Sequence, residues 1–321
     1  MKRRMLGTLN VSAIALGAPI YEMTNDDEIA QLLSRALELG IDLIDTSDAY
    51  QDGHHEKTLG RALKGRRDKV ILATKFGNIR DKNGKPGVNG QPSYVAEACT
   101  RSLKHLGVDV IDLYYIHRVD PGVPIEDTIG AMARLKEQGK IRHIGISEAA
   151  PATLRRAHAA HPITALQTEY SLSSREPEDE LLDLCGSLGI GFVAYSPLGR
   201  GLLSGAISDV AALGAKDIRS TQPRFQPDNM RRNLALVAKL KEIAEEHRCT
   251  AAQLSLAWLL HARDFIVPVP GTKYLPWLED NAAAADIALS ASTVAHLNEI
   301  FPRGVMAGDR YPPALLSRVH I

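Results

Sequence analysis

Eight short apolar segments recur along the chain, and longer stretches with helical periodicity separate them. The first is VSAIAL at 11–16, and the others lie at 43–45, 70–74, 111–117, 143–147, 165–169, 191–196 and 266–270. Their nearly continuous hydrophobicity is typical of parallel strands that are buried on both faces. The stretches between them repeat apolar residues every three or four positions, as in DDEIAQLLSRALELG, which predicts amphipathic helices. This alternation constrains the fold more than any other feature of the chain.

Eight strand–helix repeats, with no linker rich in glycine, serine or charge between them, favour a single α/β domain over residues 1–321. We expect a closed (β/α)8 TIM barrel. A doubly wound open sheet is the alternative, but the chain reads LGAPIY after the first predicted strand, where a dinucleotide-binding sheet would have GxGxxG. Two long connections, at about 77–92 and 207–230, each follow a strand. We therefore expect them over the C-terminal face of the barrel, where active sites lie.

Composition excludes several classes of function. The formal net charge is zero, so no strong field attracts nucleic acid or an anionic membrane, and we expect neither as a partner. The three cysteines are scattered without a CxxC pair, which is typical of a reducing compartment and predicts a cytoplasmic protein. The N-terminal MKRRMLGTLNVSAIALGA is similar to a signal peptide, but Thr8, Asn10 and Ser12 interrupt it with the period of a strand. A monomer and a homo-oligomer are equally compatible with the sequence.

Four polar residues stand at the carboxyl ends of successive predicted strands. Asp45 and Tyr50 follow the second strand, Lys75 follows the third, and His117 ends the fourth. A barrel brings these strand ends together at one rim. Because an ammonium group favours phenolate, we expect Lys75 to lower the pKa of Tyr50 from its usual value of about 10. Asp45 can hold Lys75 in an ion pair, and His117 can bind a substrate carbonyl oxygen.

Each of these residues, taken alone, also has a purely structural interpretation. An aspartate or lysine at a strand end is often part of an ion pair, and structural ion pairs also perturb pKa values. A metal-dependent barrel hydrolase would collect histidines and aspartates at strand ends, and His54 and His55 could join such a site. Lys75 would oppose a cation there, so we expect no metal ion. The functional interpretation depends on all four residues falling at strand ends in this order.

The chain resembles the aldo-keto reductase family over nearly its whole length. The family has an aspartate, a tyrosine five residues later, and then a lysine and a histidine after the next two strands; this pattern matches Asp45, Tyr50, Lys75 and His117. Further similar segments follow in order: SLKHLGVDVIDLYYIHRVDP, GKIRHIGISE, QTEYSL, FVAYSPLGRGLL, AQLSLAWLL and VPVPGTKYLPWLEDN. The resemblance implies NADPH-dependent reduction of aldehydes or ketones with Tyr50 as the general acid. It is strongest to the branch that includes pyridoxal reductases and auxin-induced-like proteins.

The resemblance also implies a set of cofactor-binding residues. Tyr195 would stack on the nicotinamide, and Ser147 and Gln167 would hydrogen-bond its carboxamide. Lys273 would pair with the 2′-phosphate and so favour NADPH over NADH. The remaining implied contacts are with the pyrophosphate and the adenosine, from Ser196, Leu198, Gly199, Gly201, Gly271, Asp280 and Asn281.

The chain departs from the family pattern at several positions. It has Gly-His-His-Glu at 53–56 where Gly-x-Asn-Glu is usual, and it lacks a glycine-rich stretch near Ile20 and Tyr21, which we expect to border the substrate. Glu148 stands where asparagine is frequent, and Tyr274 stands where a second basic residue is frequent. The substrate is therefore expected only to be a small carbonyl compound. Because potassium-channel β subunits share the fold and the four polar residues, an NADPH-binding redox-sensing or regulatory subunit with little turnover is the alternative function.

Overall fold

A computed structural model describes residues 1–18, 25–81, 83–208, 213 and 217–321. Ile20 and Tyr21, which the sequence places near the substrate, lie outside the described residues, as do parts of the predicted long connection at 207–230. The described strands, in chain order, are β1 Arg3–Leu6, β2 Leu9–Ser12, β3 Leu16–Gly17, β4 Leu43–Asp45, β5 Ile71–Phe76, β6 Asn78–Arg80, β7 Pro86–Val88, β8 Ile111–Ile116, β9 Ile141–Ser147, β10 Ala165–Glu169, β11 Gly191–Tyr195 and β12 Ile266–Val269.

Eight of these strands form one parallel sheet in the order β12-β11-β10-β9-β8-β5-β4-β3. The sheet closes because the segment around β3 also runs along β12. The amide of Ala15 donates to the carbonyl of Pro268 at 3.0 Å, the amide of Gly17 donates to that of Pro270 at 3.1 Å, and Gly17 forms a parallel bridge with Gly271. The structure is therefore the (β/α)8 barrel that the alternating pattern predicts.

The first predicted strand, at 11–16, is wrong in its bounds. Residues 9–12 instead form β2, which pairs antiparallel with β1 in a hairpin, and the first barrel strand is β3. This hairpin seals the N-terminal end of the barrel, since the fully buried Leu6 packs among the side chains of the barrel interior. Gly191 is required at this contact, because a Cβ atom there would lie 2.3 Å from the Cα of Leu6.

Helices surround the sheet and expose their polar faces. The described helices are α1 Asp26–Glu38, α2 His54–Ala62, α3 Pro92–Leu106, α4 Ile125–Glu137, α5 Pro151–Ala160, α6 Leu181–Leu188, α7 Pro227–Glu246, α8 Ala251–Ala262, α9 Leu275–Ala283, α10 Ala291–Ile300 and α11 Pro313–Leu316. Asn25 begins α1 with a reciprocal capping box, in which its side chain accepts from the amide of Glu28 at 2.9 Å. Within the described ranges, none of these helices has both the length and the hydropathy needed to cross a bilayer.

The connection at 77–92 contains the antiparallel hairpin β6–β7 directly after barrel strand β5. The last segment of the chain, from Arg310 to Ile321, contains α11 and reaches the same end of the barrel. There Arg318 donates to the carbonyl of Gly87 at 2.7 Å, and the amide of Ala150 donates to the carbonyl of Ile321 at 3.0 Å. The hairpin and the C-terminal segment together border the open end of the barrel.

Candidate active site

An ion pair between Lys75 and Asp45 lies at the carboxyl ends of β5 and β4. The Lys75 side chain is fully buried, and its Nζ also donates to the carbonyl of Thr46 at 2.8 Å. Burial alone would lower the pKa of Lys75, but Asp45 and Tyr50 outweigh burial and raise it. Lys75 is therefore an ammonium group held at a fixed position below the open end of the barrel.

Tyr50 lies against this ammonium group. The Nζ of Lys75 is 3.3 Å from the Tyr50 hydroxyl and 5.0 Å from the centre of its ring. Burial raises the pKa of Tyr50, and this effect outweighs Lys75, which lowers it. Lys75 thus lowers the pKa as the sequence predicts, but the prediction of a net pKa below about 10 is wrong, because desolvation of the phenolate outweighs the neighbouring cation. The hydroxyl stays protonated at neutral pH.

His117 completes the group of four. Its ring lies edge-on to Tyr50 with the ring centres 5.8 Å apart, and its Nδ1 is 3.1 Å from the hydroxyl of Ser47. Burial lowers the pKa of His117 well below its ordinary value, and Arg118 and Lys75 lower it further. The imidazole is therefore neutral, with one ring nitrogen on Ser47. The structure thus brings together all four residues that the strand-end pattern singled out.

Three of the residues implied in nicotinamide binding lie on the neighbouring strands β9, β10 and β11. Gln167 donates to the second carboxylate oxygen of Asp45 at 3.0 Å, and Ser147 is buried beside Arg118, with 3.3 Å between its hydroxyl and the guanidinium. Tyr195 is partly exposed, and its hydroxyl donates to Glu148 at 2.8 Å. Ser147, Gln167 and Tyr195 therefore lie at the same end of the barrel as Tyr50.

The loop after β11 has an unusual backbone conformation. Ser196, Gly199, Arg200 and Gly201 have φ values of 47°, 55°, 59° and 94°, all in the left-handed region. Gly199 and Gly201 tolerate this region without strain. The backbone strain at Arg200 is offset by its buried ion pair with Glu169 on β10. The amides of Gly199 and Gly201 already donate within the loop, at 2.9 and 3.0 Å. These glycines therefore permit the turn rather than offer free amide donors.

The remaining residues of the implied cofactor site lie after β12 and on α9. Lys273 is 3.9 Å from a carboxylate oxygen of Glu28, and it also approaches the ring of Tyr274. Asn281 is buried and donates to Thr272 at 3.2 Å. Asp280 accepts a hydrogen bond from the Thr250 hydroxyl at 2.9 Å, so its carboxylate holds the start of α8. Gly271 is exposed directly beside this group.

A buried ionic network beside Tyr195 was not expected from the sequence pattern. Glu148 is buried, has a left-handed φ of 55°, and accepts two hydrogen bonds from Arg310, each at 2.8 Å. Burial alone would raise the pKa of Glu148, but Arg310 outweighs burial and holds the pKa at about 2. Tyr311 adds a hydroxyl 3.1 Å from that of Tyr195. The C-terminal segment is thus anchored to the site, although its residues follow no strand and show no periodic pattern.

Sequence comparison places nearly the whole chain in one family. Residues 11–301 match the profile of the Aldo/keto reductase family. The chain is 40% identical over 326 residues to "Aldo-keto reductase yakc [NADP(+)]" of Schizosaccharomyces pombe, and the match covers 98% of this chain and 96% of that protein.

Solved structures agree with this placement. Aldo-keto reductase AKR11C1 from Bacillus halodurans, in its holo form, is 30% identical with a TM-score of 0.78, covering 94% of this chain and 96% of its own. The glycerol dehydrogenase AKR11B4 from Gluconobacter oxydans is 27% identical with a TM-score of 0.85, covering 97% of each chain. The barrel, the four polar residues at its strand ends and these similarities lead to one conclusion: the chain belongs to the aldo/keto reductase family.

Proposed function

We propose that this protein is an NADPH-dependent oxidoreductase that reduces aldehydes or ketones to alcohols, with Tyr50 as the general acid. The observation that carries the proposal is the buried Lys75 ammonium group, which contacts both Asp45 and the Tyr50 hydroxyl beside a neutral His117. A phenol, a cation and a neutral imidazole at the open end of a barrel are the groups that protonation of a carbonyl oxygen requires.

Tyr50, Lys75, His117 and Asp45 each have a separate role in the proton transfer. When bound, NADPH supplies the hydride for the carbonyl carbon. Tyr50 donates its proton to the carbonyl oxygen as negative charge develops there, and Lys75 stabilises the resulting phenolate. If the Ser47 hydroxyl donates to Nδ1 of His117, the proton of the imidazole lies on Nε2 and can hydrogen-bond the same oxygen. Asp45 keeps Lys75 charged and in place.

The residues present fit a nicotinamide dinucleotide. The Tyr195 ring is held by its hydroxyl bonds to Glu148 and Tyr311, which would keep a flat face towards a stacked nicotinamide. The left-handed backbone at Ser196–Gly201 forms a compact turn beside this ring, where the pyrophosphate would lie against backbone and the side chain of Leu198. Gly271 and Lys273, with Asp280 and Asn281, would hold the adenosine 2′-phosphate and the adenine.

We further propose a cytoplasmic enzyme whose only partners are small molecules and, if it assembles, other copies of itself. Cys99 and Cys185 are buried free thiols, which suits a reducing compartment. The zero net charge gives no support to binding of nucleic acid. The alternative of a regulatory subunit with little turnover is not favoured, because the relatives that match nearly the whole chain are named as reductases or dehydrogenases.

The test is substitution of Tyr50 by phenylalanine, with NADPH and a neutral aromatic aldehyde as substrates. We expect kcat to fall by about 100-fold or more, because the general acid is lost. The Kd for NADPH, followed by quenching of tryptophan fluorescence, should stay within about threefold of the wild-type value, because Tyr50 serves the substrate. Tyr94→Phe is the matched control, since it removes a phenol hydroxyl that accepts from Arg101 on α3 at 3.1 Å and is not part of the group of four. Undiminished turnover by Tyr50→Phe would remove the basis of the mechanism.

A further inference from the structure

Three arginines border the open end of the barrel beside the candidate catalytic group. We call Arg80, Arg118 and Arg318 the rim arginines; they come from β6, from the residue after His117, and from the C-terminal segment. In the part of the chain that the structure describes, all their hydrogen bonds go to carbonyl, amide or hydroxyl oxygens, and none forms an ion pair with a carboxylate. Arg118 and Arg318 are partly buried, and a partly buried guanidinium group that contacts no anion is costly.

Arg118 is the innermost of the three. Its guanidinium donates to the carbonyl of His117 at 2.7 Å and to the hydroxyl of Ser147 at 3.3 Å, and it lies 5.9 Å from the centre of the Tyr195 ring. The neighbouring His117 ring is 5.8 Å from the ring of Tyr50. Arg118 therefore borders the space in which a carbonyl compound must lie to reach the Tyr50 hydroxyl.

Arg318 lies on the same side of the opening. It donates to the carbonyl of Gly87 at 2.7 Å and approaches the side chain of Asn78 at 3.4 Å, which places it on the β6–β7 hairpin. Asn78 follows Gly77, whose Cβ position would be 3.7 Å from the backbone oxygen of Arg118. Burial lowers the pKa of Arg318, and repulsion from the neighbouring Arg118 and Arg80 lowers it further.

The carboxylates around the opening already have partners. Asp45 is paired with Lys75, and Glu148 is held by two hydrogen bonds from Arg310. Glu169 is buried against Arg200 at 2.7 Å and Arg224 at 3.5 Å. Glu148 is near enough to raise the pKa of Arg118, but its own oxygens are bound by Arg310. Among the described residues, no carboxylate forms an ion pair with Arg80, Arg118 or Arg318.

The phosphates of the proposed cofactor do not account for this charge. The segments proposed to hold them follow β11 and β12, whereas Arg118 follows β8 and Arg80 lies on the hairpin after β5. In the closed sheet, β9 and β10 separate these two groups of strands. Arg118 reaches Ser147 and the Tyr195 ring, where the nicotinamide and not a phosphate is proposed to lie. Arg80 and Arg318 lie at the β6–β7 hairpin, away from the segments proposed to hold the phosphates.

We propose that the natural substrate of this site is an anionic carbonyl compound, whose carboxylate or phosphate group binds between Arg118 and Arg318 while its carbonyl oxygen lies at Tyr50. The planar donor forks of two guanidinium groups suit the paired oxygens of either anion. Arg80, exposed at the outer rim, adds attraction at longer range. This inference rests on the proposed reductase function, and it adds the chemical class of the substrate.

The test compares pairs of carbonyl compounds in which one member carries an anionic group and the other is its neutral ester or lacks that group. A rigid pair is 4-carboxybenzaldehyde and methyl 4-formylbenzoate, and a flexible pair is 4-oxobutanoate and its methyl ester. Glyceraldehyde 3-phosphate and glyceraldehyde form the phosphate arm. We expect kcat/KM to be about tenfold or more higher for the anion than for the neutral partner in at least one pair, mainly through a lower KM. The pair with the largest ratio identifies carboxylate or phosphate as the anion.

Variants assign the preference to the rim arginines. Arg318→Met should lower kcat/KM for the preferred anion by about tenfold, leave the neutral partner within about threefold, and thereby abolish most of the preference. Arg318→Lys should restore part of it. Arg118→Met should act in the same direction, with the Kd for NADPH measured separately because Arg118 lies beside Tyr195. Arg263→Met is the matched control, because Arg263 is exposed near the N-terminal end of β12 and pairs with Asp183.

The outcomes separate this inference from the function on which it rests. Equal or better turnover of the neutral compounds in every pair would overturn the anionic substrate and leave the reductase function intact. An equal loss for both members of a pair in Arg318→Met would also overturn it, because a merely structural arginine affects both alike. Turnover of none of the compounds, despite binding of NADPH, would overturn both proposals together.

Discussion

Replacement of Glu148 by glutamine tests whether the buried network beside Tyr195 stabilises the fold through its charge. The substitution keeps the size of the side chain but removes the anion from a group that is 1% exposed. Arg310 then loses the carboxylate that lies at 2.8 Å and keeps the more distant Glu169 at 4.0 Å, and the hydrogen bond from Tyr195 loses its charged acceptor. We expect a large loss of stability for a single conservative change.

The size of this loss follows from the pKa of Glu148. Folding lowers it from an ordinary value of 4.5 to about 2. A shift of this size corresponds to about 3 kcal/mol of folding free energy at neutral pH. For 321 residues, an unfolding entropy of about 2.1 cal/mol/K per residue converts this loss into a decrease of roughly 5 °C in Tm.

The pH dependence distinguishes the charge of Glu148 from mere packing. Because the folded pKa is the lower one, the stabilisation is complete above the unfolded pKa of 4.5 and disappears as the pH falls towards 2. Urea unfolding of the wild type and of Glu148→Gln at pH 7, 4 and 3 measures the difference directly. We expect more than half of the difference at about pH 7 to be gone at about pH 3.

A matched control and a clear contrary result make this test decisive. Glu126→Gln removes the same charge from an exposed pair with Arg156, at 2.6 Å, and should have a much smaller effect because water screens that pair. A difference below about 1 kcal/mol for Glu148→Gln, or one that persists unchanged at low pH, would refute the reasoning. A small difference would mean that Arg310 is satisfied without the anion, and a difference that is the same at low pH would mean that packing and not charge causes the loss.

Two further predictions concern the proposed cofactor and the pH profile. Lys273→Met should raise the Kd for NADPH by about tenfold and leave that for NADH within about twofold, as measured by tryptophan fluorescence; equal weakening of both would contradict pairing with the 2′-phosphate. Since the pKa of His117 lies well below its ordinary value and that of Tyr50 is raised, both keep one protonation state through neutral pH. The kcat/KM for reduction should therefore be flat between about pH 6 and pH 9, and a titration near pH 6.5 would contradict a neutral His117.

The sequence predicts the barrel well where local pattern decides the structure. The strand Leu43–Asp45 lies where the segment at 43–45 predicts it. Helix α3 ends at Gly107, as predicted, and this glycine has a left-handed φ of 62°. The first strand was misplaced because the alternating residues at 9–12 suit a two-faced hairpin as well as a barrel strand. Which of the two structures forms depends on the strand that pairs with residues 9–12, and in this protein that strand is β1.

The group of four polar residues was predictable because parallel strands bring their carboxyl ends together whatever their spacing in the chain. The ionic network was not predictable, since Glu148 and Arg310 are 162 residues apart and Arg310 lies in no periodic element. The sign of the Tyr50 shift was also missed, because it depends on how much water the completed fold removes from the phenol. Arg118 follows His117 in the sequence, but the sequence does not show that, among the described residues, it forms no ion pair with a carboxylate.

The attachment of the C-terminal segment has a consequence for the order of events during synthesis. Asp45, Lys75 and His117 leave the ribosome early, and their strands can pair as soon as the first half of the barrel is present. Arg310 and Arg318 emerge some 190 residues or more after His117. The seam between β3 and β12 must also wait for Pro270. A nascent chain therefore carries its proton-donating group long before it can hold Tyr195 in place or attract an anion, and reductase activity should appear only after the final segment has docked.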